Sequence, residues 1–413
     1  MPEWFGQTFA ALSLRHFRIL WLGSFSSFLG FFMSTVVNSV VAFDLAGTNR
    51  AVGTVVFGQA LSMFLLTPLG GAYADRWPKR RVIAIGQGIT SAIFVLTAWL
   101  LAEGMLALWH LAAGGFGMGA CFAFIGPARQ ALVVDVVPEE RRGNAVALSQ
   151  IANSASRIGG PALAGLFLAW PAVGAAGAYL AMAACYAVAA LMLIGLPKSR
   201  RRTGEIGSVW TDIAEGVRYV HADRHLRLLM WMFVLVIMAG FPYVTVMPGL
   251  VENALGREAE AIGWLMGSSA VGGLLTSIAV ARFADSEQAR ALYSSFGMGF
   301  GLSLIALAFV PSYAVAMAGA FALGVCSGGF QTLNSAVLIR ATAPVYMGRV
   351  MALSMMAFAG FGLVGLPIGW LADAIGERGT LAVMGVGVTI IVAFSWAALV
   401  RVARDAAAAP NTA

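Results

Sequence analysis

Ionisable side chains are scarce in this sequence, and one dense group of them lies at Gly71–Arg81. The stretch GAYADRWPKRR contains one acid, Asp75, and four cations within eleven residues. An acid of this kind favours the N-terminal end of a neighbouring helix, and Arg pairs with carboxylates in a fixed geometry. These side chains are therefore suited to holding segments of a protein together.

Elsewhere the sequence lacks the clusters that predict catalysis or metal binding. Its four histidines are scattered, and no Gly-rich phosphate loop appears in a soluble domain. Cys121, Cys185 and Cys326 lie in apolar stretches, and their spacing fits neither a metal site nor a disulfide framework. We expect no enzyme activity, no metal and no cofactor.

The elements that position these charges are apolar helices. Of 413 residues, 60% are hydrophobic and 11% are charged, whereas soluble domains carry about 25% charged residues. A membrane crossing needs about 20 predominantly apolar residues in a helix. Runs of that length without Asp, Glu, Lys or Arg occur at 19–43, 51–74, 82–102, 104–128, 158–196, 228–251, 261–281, 291–311, 312–339, 350–372 and 379–400.

The run 158–196 is too long for one crossing and contains turn signals at Trp170–Gly177. Its first part extends back through Arg157 to about Gly143 and makes a complete helix. The sequence thus predicts an all-α membrane protein with twelve transmembrane helices. An even number places both termini on one side of the membrane.

The distribution of cations predicts which side that is. Cytoplasmic loops retain Lys and Arg, and assigning both termini and every second loop to the inside places 22 of the 26 there. We expect a multi-pass protein of a bacterial-type inner (cytoplasmic) membrane with both termini cytoplasmic. The net charge of +7 reflects this bias and the anionic inner leaflet rather than nucleic-acid binding.

The two halves of the sequence repeat each other in the same orientation. HFRILW, which begins at His16, returns as HLRLLMW from His225, and Ala74-Asp75 returns as Ala284-Asp285. Parallel repeats are one of the plans on which transporters are built. The predicted organisation is a six-helix bundle at 1–196, a cytoplasmic linker with an amphipathic helix at 197–225, a pseudo-symmetric six-helix bundle at 226–405 and a disordered tail at 406–413.

The charged stretch resembles a motif of the major facilitator superfamily, Gly-x-Leu-Ala-Asp-Arg-x-Gly-Arg-Lys, which lies between the second and third helices. Tyr73 replaces the leucine and Pro78 the second glycine. The resemblance implies the major facilitator fold and a cytoplasmic latch that bridges the two halves, with Asp285 in a weaker counterpart. A loop that only sets topology is the alternative. The matching residues are Gly71, Ala74, Asp75, Arg76, Lys79 and Arg80.

A longer part of the chain resembles one exporter group of this superfamily. Gly126–Asp135, Asn144–Leu148 and Gly160–Gly165 resemble the fourth and fifth helices of bacterial macrolide and siderophore exporters driven by proton exchange. This implies a secondary active transporter that alternates access and exports a small amphiphilic or lipophilic compound by proton antiport. Its partners would be the lipid bilayer, that compound and protons, and we expect a monomer.

Two departures from that group bear on coupling. Many relatives carry an acid in the first helix near Phe31 and an arginine in the fourth, whereas the predicted fourth span, 104–128, has no arginine. The sequence also offers no deeply placed carboxylate to protonate. A facilitator or importer with the same fold therefore stays open, as do a channel or a non-transporting receptor from another class.

In the superfamily the first, fourth, seventh and tenth helices line the central path. Four candidate residues on the first helix, at i, i+3, i+7 and i+10, share one face. An aromatic pocket with a few amides and hydroxyls suits an amphiphile better than a sugar, although such residues also serve packing. The candidate cavity residues are Phe28, Phe31, Thr35, Asn38, Trp231, Tyr243, Phe330, Gln331 and Asn334.

Three residues are candidates for coupling, each with a structural alternative. Arg157, near the middle of a span, either binds an anion or tunes an acid, or else caps helix carbonyls. Asp44, at the outer end of the first helix, exchanges protons or is only solvated. His110 is either a proton relay or a hydrogen-bonded structural histidine.

Glycines and prolines predict close helix contacts and bends. Four pairs have the small-xxx-small spacing that permits close approach: Gly115/Gly119, Gly263/Gly267, Gly324/Gly328 and Gly365/Gly369. A helix-bend motif is predicted at Gly160, Pro161, Gly165 and Pro367.

We predict that Asp75→Asn leaves membrane insertion intact and slows transport, because a neutral amide no longer pairs with cations as a carboxylate does. Membrane fractionation measures insertion, and reconstituted liposomes measure turnover. A wild-type turnover rate in the variant would count against the cytoplasmic latch.

Overall fold

The computed structural model describes residues 10–74, 77–170, 172–196, 209–258, 260–281, 283, 286 and 288–408. Every regular element in these residues is helical. A hydrocarbon layer favours helices in long apolar runs, because each backbone N–H and C=O must find its hydrogen-bond partner within the same segment.

The first half of the chain forms six long helices, which correspond to the first six predicted spans. At the end of the first helix, Gly47 has a φ of 62° and turns the chain into the second. The helices are α1 (Arg15–Ala46), α2 (Asn49–Ala74), α3 (Lys79–Ala102), α4 (Leu108–Val136), α5 (Arg142–Ala169) and α6 (Gly174–Met192).

The second half begins with a helix in the predicted linker, α7 (Val209–Ala222). The seventh predicted span is divided into two helices and a π-helical turn, Leu250–Ala254. The remaining helices are α8 (Arg224–Gly240), α9 (Tyr243–Gly249), α10 (Glu260–Ala281), α11 (Ala289–Ala308), α12 (Tyr313–Ala341) and α13 (Met347–Ala408).

α13 contains the eleventh and twelfth predicted spans in succession. Its backbone leaves the helical conformation at Gly376, with φ 79° and ψ 162°, a region that glycine adopts without steric cost. The helix continues through Pro367, so the break lies nine residues beyond the predicted bend. It also continues to Ala408, so the predicted disordered tail is wrong for residues 406–408, while 409–413 lie outside the described residues.

Ten helical segments within the described residues are long and apolar enough to cross a membrane. One of them, Gly360–Val402, contains the break at Gly376 and therefore holds two crossings. α5, which has 28 residues and corresponds to the predicted fifth crossing, is not among the ten. With these two adjustments the segments correspond to the twelve predicted spans, and the all-α membrane fold is confirmed.

The helices group into two compact units. The first unit comprises Met1–Gly47, Thr54–Val209 and Glu258–Gly267, and the second comprises Thr48–Gly53, Trp210–Arg257 and Ser268–Ala413, as far as these ranges are described. The first turn of α2 thus belongs to the second unit, and the first turns of α10 belong to the first unit. The division between Val209 and Trp210 falls inside the predicted linker.

Within the second unit, α7 packs on the beginning of α13. Glu215 and Arg349 form an ion pair of 3.0 Å, and the rings of Tyr219 and Tyr346 stack with centroids 4.1 Å apart. The backbone N–H of Ala343 donates to the Tyr219 hydroxyl oxygen over 3.0 Å. The linker helix is therefore attached to the second unit by polar and aromatic contacts.

Glycines bring helices together at matching places in the two units. In the first unit, a Cβ at Gly119 would collide with the Gln59 carbonyl of α2. In the second unit, a Cβ at Gly324 would collide with the Ser269 carbonyl of α10, and one at Gly328 would lie 2.6 Å from the Gly273 Cα. These contacts confirm the predicted close approach at Gly119, Gly324 and Gly328, whereas Gly267 of the pair Gly263/Gly267 makes no such contact.

We predict that Gly324→Ala lowers stability by about 1–3 kcal/mol, because the added methyl group forces α10 and α12 apart. Thermal unfolding of the purified protein in detergent measures the change.

The matched control is Gly267→Ala in α10, where a Cβ meets no atom within 4 Å. Alanine there should leave stability unchanged or raise it by up to about 1 kcal/mol through helix propensity. Equal unfolding midpoints for the two variants would contradict the packing described above.

Candidate functional site

Arg129 is a buried cation on α4. The helix runs from Leu108 to Val136, beyond the predicted end of the fourth span at residue 128, and Arg129 is only 8% exposed. The expectation that this helix carries no arginine is therefore wrong. The helix continues because the neighbouring helix supplies partners for the buried charge.

Two α1 residues contact the Arg129 guanidinium. Nη2 donates to the Ser27 Oγ over 2.8 Å, and the guanidinium carbon lies 4.5 Å from the centre of the Phe28 ring. A desolvated cation–π contact contributes about 2 kcal/mol. The Nε atom of Arg129 is buried without a hydrogen-bond partner among the described residues, so one donor of the guanidinium is unused.

An aromatic face continues from Arg129 along α1. Phe28, Phe31 and Thr35 are each partly exposed, and the Phe31 ring lies 5.0 Å from the Phe122 ring of α4. The Thr35 hydroxyl donates to the Phe32 carbonyl of its own helix. The structure brings these three candidate residues together on one side of α1, beside a cation that the sequence analysis did not select.

Asn38, the fourth candidate on α1, has a different environment. It is 9% exposed, and the buried Tyr179 hydroxyl of α6 donates to its Oδ1 over 2.8 Å. Its amide oxygen therefore joins two helices of the first unit. The assignment of Asn38 to an open cavity is corrected, because this hydrogen bond and its burial occupy the side chain.

The second unit contains an equivalent bond. The Tyr293 hydroxyl of α11 donates to the Asn334 Oδ1 of α12 over 3.1 Å, and the Asn334 Nδ2 donates to the Ser354 Oγ over 3.3 Å. The Phe330 ring is completely buried and stacks 4.6 Å from the Tyr293 ring. Asn334 and Phe330 are thus packing residues, which corrects their assignment to the cavity.

The other candidates of the second unit are dispersed. Tyr243 is 8% exposed and lies edge-on to Phe300 at 6.4 Å, so it too belongs to the core rather than to a cavity. Trp231 is 53% exposed on α8. Gln331 is partly exposed, and its Nε2 donates to the Ser327 carbonyl over 3.4 Å.

Arg157 lies near the middle of α5, as predicted, with its side chain exposed. Its guanidinium carbon is 5.9 Å from the centre of the Phe32 ring. Three residues further along α5, a Cβ at Gly160 would lie 2.6 Å from the Phe32 Cβ. α5 therefore approaches α1 closely, and Arg157 lies at the border of this contact.

The other two coupling candidates have local environments. The His110 Nδ1 accepts a hydrogen bond from the Ala107 N–H over 2.9 Å, at the start of α4, and its ring lies 3.7 Å from the Trp109 ring. This favours the structural alternative for His110. Asp44 is exposed in the last turn of α1, as the solvated alternative expects.

Two cations of the predicted cytoplasmic latch have partners inside the first unit. The Lys79 Nζ lies 2.7 Å from the Asp135 Oδ2, and Lys79 is buried. The Arg80 Nη1 donates to the Leu196 carbonyl over 2.6 Å. Lys79 begins α3 and Asp135 nearly ends α4, where each charge opposes the helix dipole, so their ion pair offsets two unfavourable placements.

The other residues of the predicted cytoplasmic latch are Gly71, Asp75, Arg76 and Asp285. Asp75, Arg76 and Asp285 lie outside the described residues, and Gly71 is described only as part of α2. The cytoplasmic latch stays a prediction.

The predicted bend motif makes a close contact instead of a visible break. A Cβ at Gly165 in α5 would lie 2.9 Å from the Gly263 Cα of α10, within the first unit. α5 remains helical through Pro161, as α13 does through Pro367.

Arg129 is not among the predicted site residues, because the predicted fourth span, 104–128, ends immediately before it. The available signal was the apolar run Ala131–Val134 immediately after Arg129, which continues the helix with its periodicity.

We predict that Arg129→Ala lowers the folded yield and destabilises the protein by about 2 kcal/mol or more, because it removes the contact with Phe28 and leaves a cavity. Arg157→Ala should leave both quantities close to wild type, since that side chain is exposed. Size-exclusion profiles and thermal unfolding in detergent measure both variants. An equal loss in the two would contradict the different burial of these arginines.

Comparison with known proteins gives consistent matches over nearly the whole chain. A family model described as "Transmembrane secretion effector" matches residues 6–412. The staphyloferrin A transporter of Staphylococcus aureus (strain NCTC 8325 / PS 47) is 25% identical over 374 residues, covering 89% of this chain and 92% of the relative. The multidrug efflux pump Tap of Mycobacterium tuberculosis (strain ATCC 25618 / H37Rv) is 26% identical over 363 residues, covering 83% and 84%.

Solved structures share the fold. A bacterial homolog of the human lysosomal transporter Spinster superposes with a TM-score of 0.77 at 14% identity, covering 95% of this chain and 98% of the other. A D-xylose–proton symporter superposes with a TM-score of 0.70 at 16% identity, covering 92% and 97%. The chain therefore belongs to the transmembrane secretion effector family, within the major facilitator superfamily of membrane transporters, which are not enzymes.

Proposed function

We propose that the protein is a secondary active exporter of a small amphiphilic or lipophilic compound, driven by proton antiport. Its two units would alternate a central binding site between the two sides of a bacterial inner membrane, with both termini in the cytoplasm. The chain would act as a monomer.

One observation carries this proposal: the partly exposed aromatic face of α1 and α4 beside the buried Arg129. Phe28, Phe31 and Phe122 offer apolar and π surface, and Thr35 adds a hydroxyl. Binding sites for drug-sized compounds combine mostly apolar walls with a few fixed polar groups. A sugar would need a denser set of hydrogen-bonding groups than this face provides.

Export is supported by the relatives rather than by geometry. One of them is named a multidrug efflux pump and another a staphyloferrin A transporter, and each aligns with more than four fifths of this chain.

Proton coupling in this proposal relies on carboxylates near helix ends. In the described part of the membrane helices, Asp44, Glu103 and Asp135 lie in or next to the last turn of their helices. Asp373 and Glu377 flank the break in α13. An exchanged proton would therefore bind close to a membrane surface, where water reaches the carboxylate.

Proton-coupled import is the second candidate, because the D-xylose–proton symporter has the same fold. A symporter moves substrate and proton in the same direction, whereas an antiporter moves them in opposite directions. The direction of the proton gradient that drives uptake separates the two.

We expect liposomes with an acidic interior to accumulate the substrate while their internal pH rises. Purified protein is reconstituted with a pH-sensitive dye inside and tested against a macrolide, a lipophilic cation and a siderophore-like anion. Uptake driven by an alkaline interior would indicate a symporter. Uptake independent of the gradient would indicate a facilitator, and either result would overturn antiport.

Two phenylalanine variants link this assay to the aromatic face. Phe31→Ala should raise the half-saturating substrate concentration about two- to tenfold, since an aromatic contact contributes about 0.5–1.5 kcal/mol. The control is Phe309→Ala, at a side chain that is 71% exposed at the end of α11. Identical values for both variants would show that substrate binds elsewhere.

A further inference from the structure

The first turn of α2 belongs to a different unit from the rest of that helix. Thr48–Gly53 belongs to the second unit, whereas the same helix from Thr54 onward belongs to the first. The chain therefore passes from the second unit to the first between Gly53 and Thr54, inside α2. This end of α2 is opposite the Gly71–Arg81 loop and is predicted from the cation distribution to be extracytoplasmic.

Asp373 of α13 caps the first turn of α2 with both carboxylate oxygens. The backbone N–H of Asn49 donates to Oδ1 over 2.8 Å, and that of Arg50 donates to Oδ2 over 3.2 Å. The first N–H groups of a helix have no partner within the helix, and the helix dipole favours a negative charge there. Asp373 satisfies both needs from another helix.

Glu377 provides a second attachment four residues further on, beyond the break at Gly376. Its Oε1 accepts from the Nδ2 of Asn49 over 3.0 Å and from the Nδ2 of Asn253 over 2.8 Å. Asn49 is 2% exposed, and its Oδ1 is buried without a hydrogen-bond partner among the described residues. The turn is thus held by charge-assisted hydrogen bonds, against the cost of one unpaired acceptor.

The surrounding surface is shaped for this contact. A Cβ at Gly369 would lie 2.6 Å from the Asn49 carbonyl oxygen, and one at Gly53 would lie 2.6 Å from the Gly365 carbonyl oxygen. A Cβ at Gly249 would collide with the Glu377 carboxylate and the Asn49 amide. Only glycine at these places lets the backbones approach closely enough for the carboxylates to reach.

The break in α13 separates the two acids, and both reach the first turn of α2. Gly376, with φ 79°, lies between Asp373 and Glu377. Next to it, the Arg378 Nη1 donates to the Ala308 carbonyl over 3.0 Å and anchors the chain beyond the break to the end of α11. Both acids thus lie at one corner of the second unit.

We propose that Asp373 and Glu377 form a releasable latch that holds the first turn of α2 in the second unit and opens when the transporter exposes its site on that side. This rests on the alternating access proposed above. Asp373 is exposed to solvent, so water replaces the protein donors when the turn leaves. A cap of this kind is strong enough to favour one state and weak enough to be broken in each cycle.

A buried cysteine at position 52 reports release of the turn. Val52 is fully buried and lies three residues from Asn49, on the same helix face. Val52→Cys is introduced after Cys121→Ser, Cys185→Ser and Cys326→Ser remove the native thiols. The rate of labelling by a water-soluble maleimide is measured in nanodiscs without any substrate.

We expect Asp373→Ala and Glu377→Ala each to raise the labelling rate about tenfold, equivalent to about 1.4 kcal/mol. Glu377→Gln should change it less than twofold, because the amide oxygen still accepts both hydrogen bonds. Asp373→Asn, which keeps one acceptor oxygen, should give an intermediate increase and serves if the alanine variant fails to fold. Glu103→Gln, at an exposed acid ending α3, is the control and should have no effect.

Wild-type labelling rates in the folded Asp373 and Glu377 variants would overturn the latch, and so would an equal increase with Glu103→Gln. Because labelling needs no substrate, this outcome is independent of the proposed function. A wild-type protein that transports nothing would overturn export and leave the labelling difference standing.

Discussion

A hydrocarbon layer offers no hydrogen-bond partner to a peptide group or a charged side chain, and this constraint organises the whole chain. Backbone groups are satisfied inside long helices. The described charges lie in loops, in the linker helix α7, at helix ends and beside the break in α13, while Arg129 and Arg157 lie inside membrane helices. Arg129 is accepted inside α4 because Ser27 and Phe28 of α1 supply an oxygen and an aromatic ring. The pairing of α1 with α4 is therefore coupled to the burial of one guanidinium.

Helices that are already satisfied internally adhere through packing, because lipid is as apolar as their own side chains. Glycine makes this packing close. Gly119 faces α2 in the first unit, and Gly324 faces α10 in the second. The two halves of the repeat thus use glycine for close helix packing at equivalent places, although their sequences differ. Close packing at glycine recurs at Gly365 and Gly369 of α13, where it brings the carboxylates of Asp373 and Glu377 within reach of the first turn of α2.

Polar groups within the membrane helices divide between stability and function by their surroundings. The bonds from Tyr179 to Asn38 and from Tyr293 to Asn334 are buried and join helices of one unit. Phe28, Phe31 and Thr35 keep part of their surface open beside a cation. The proposed export would need both kinds of group, since each unit would have to move without losing its internal packing while the proposed binding face stays accessible.

The sequence by itself determined the number of crossings, the repeat and the superfamily, because hydropathy and loop charge are properties of short segments that each membrane crossing must satisfy separately. It also placed Phe28, Phe31 and Thr35 on one face through helical periodicity. Tertiary structure decided which polar residue meets which partner. Asn38 and Asn334 accept hydrogen bonds from buried tyrosines, and Arg129 is buried against α1. Asp373 caps a helix whose first residues are more than three hundred positions away in the sequence. Such pairings depend on how helices pack in three dimensions, and no local pattern of residues carries that information.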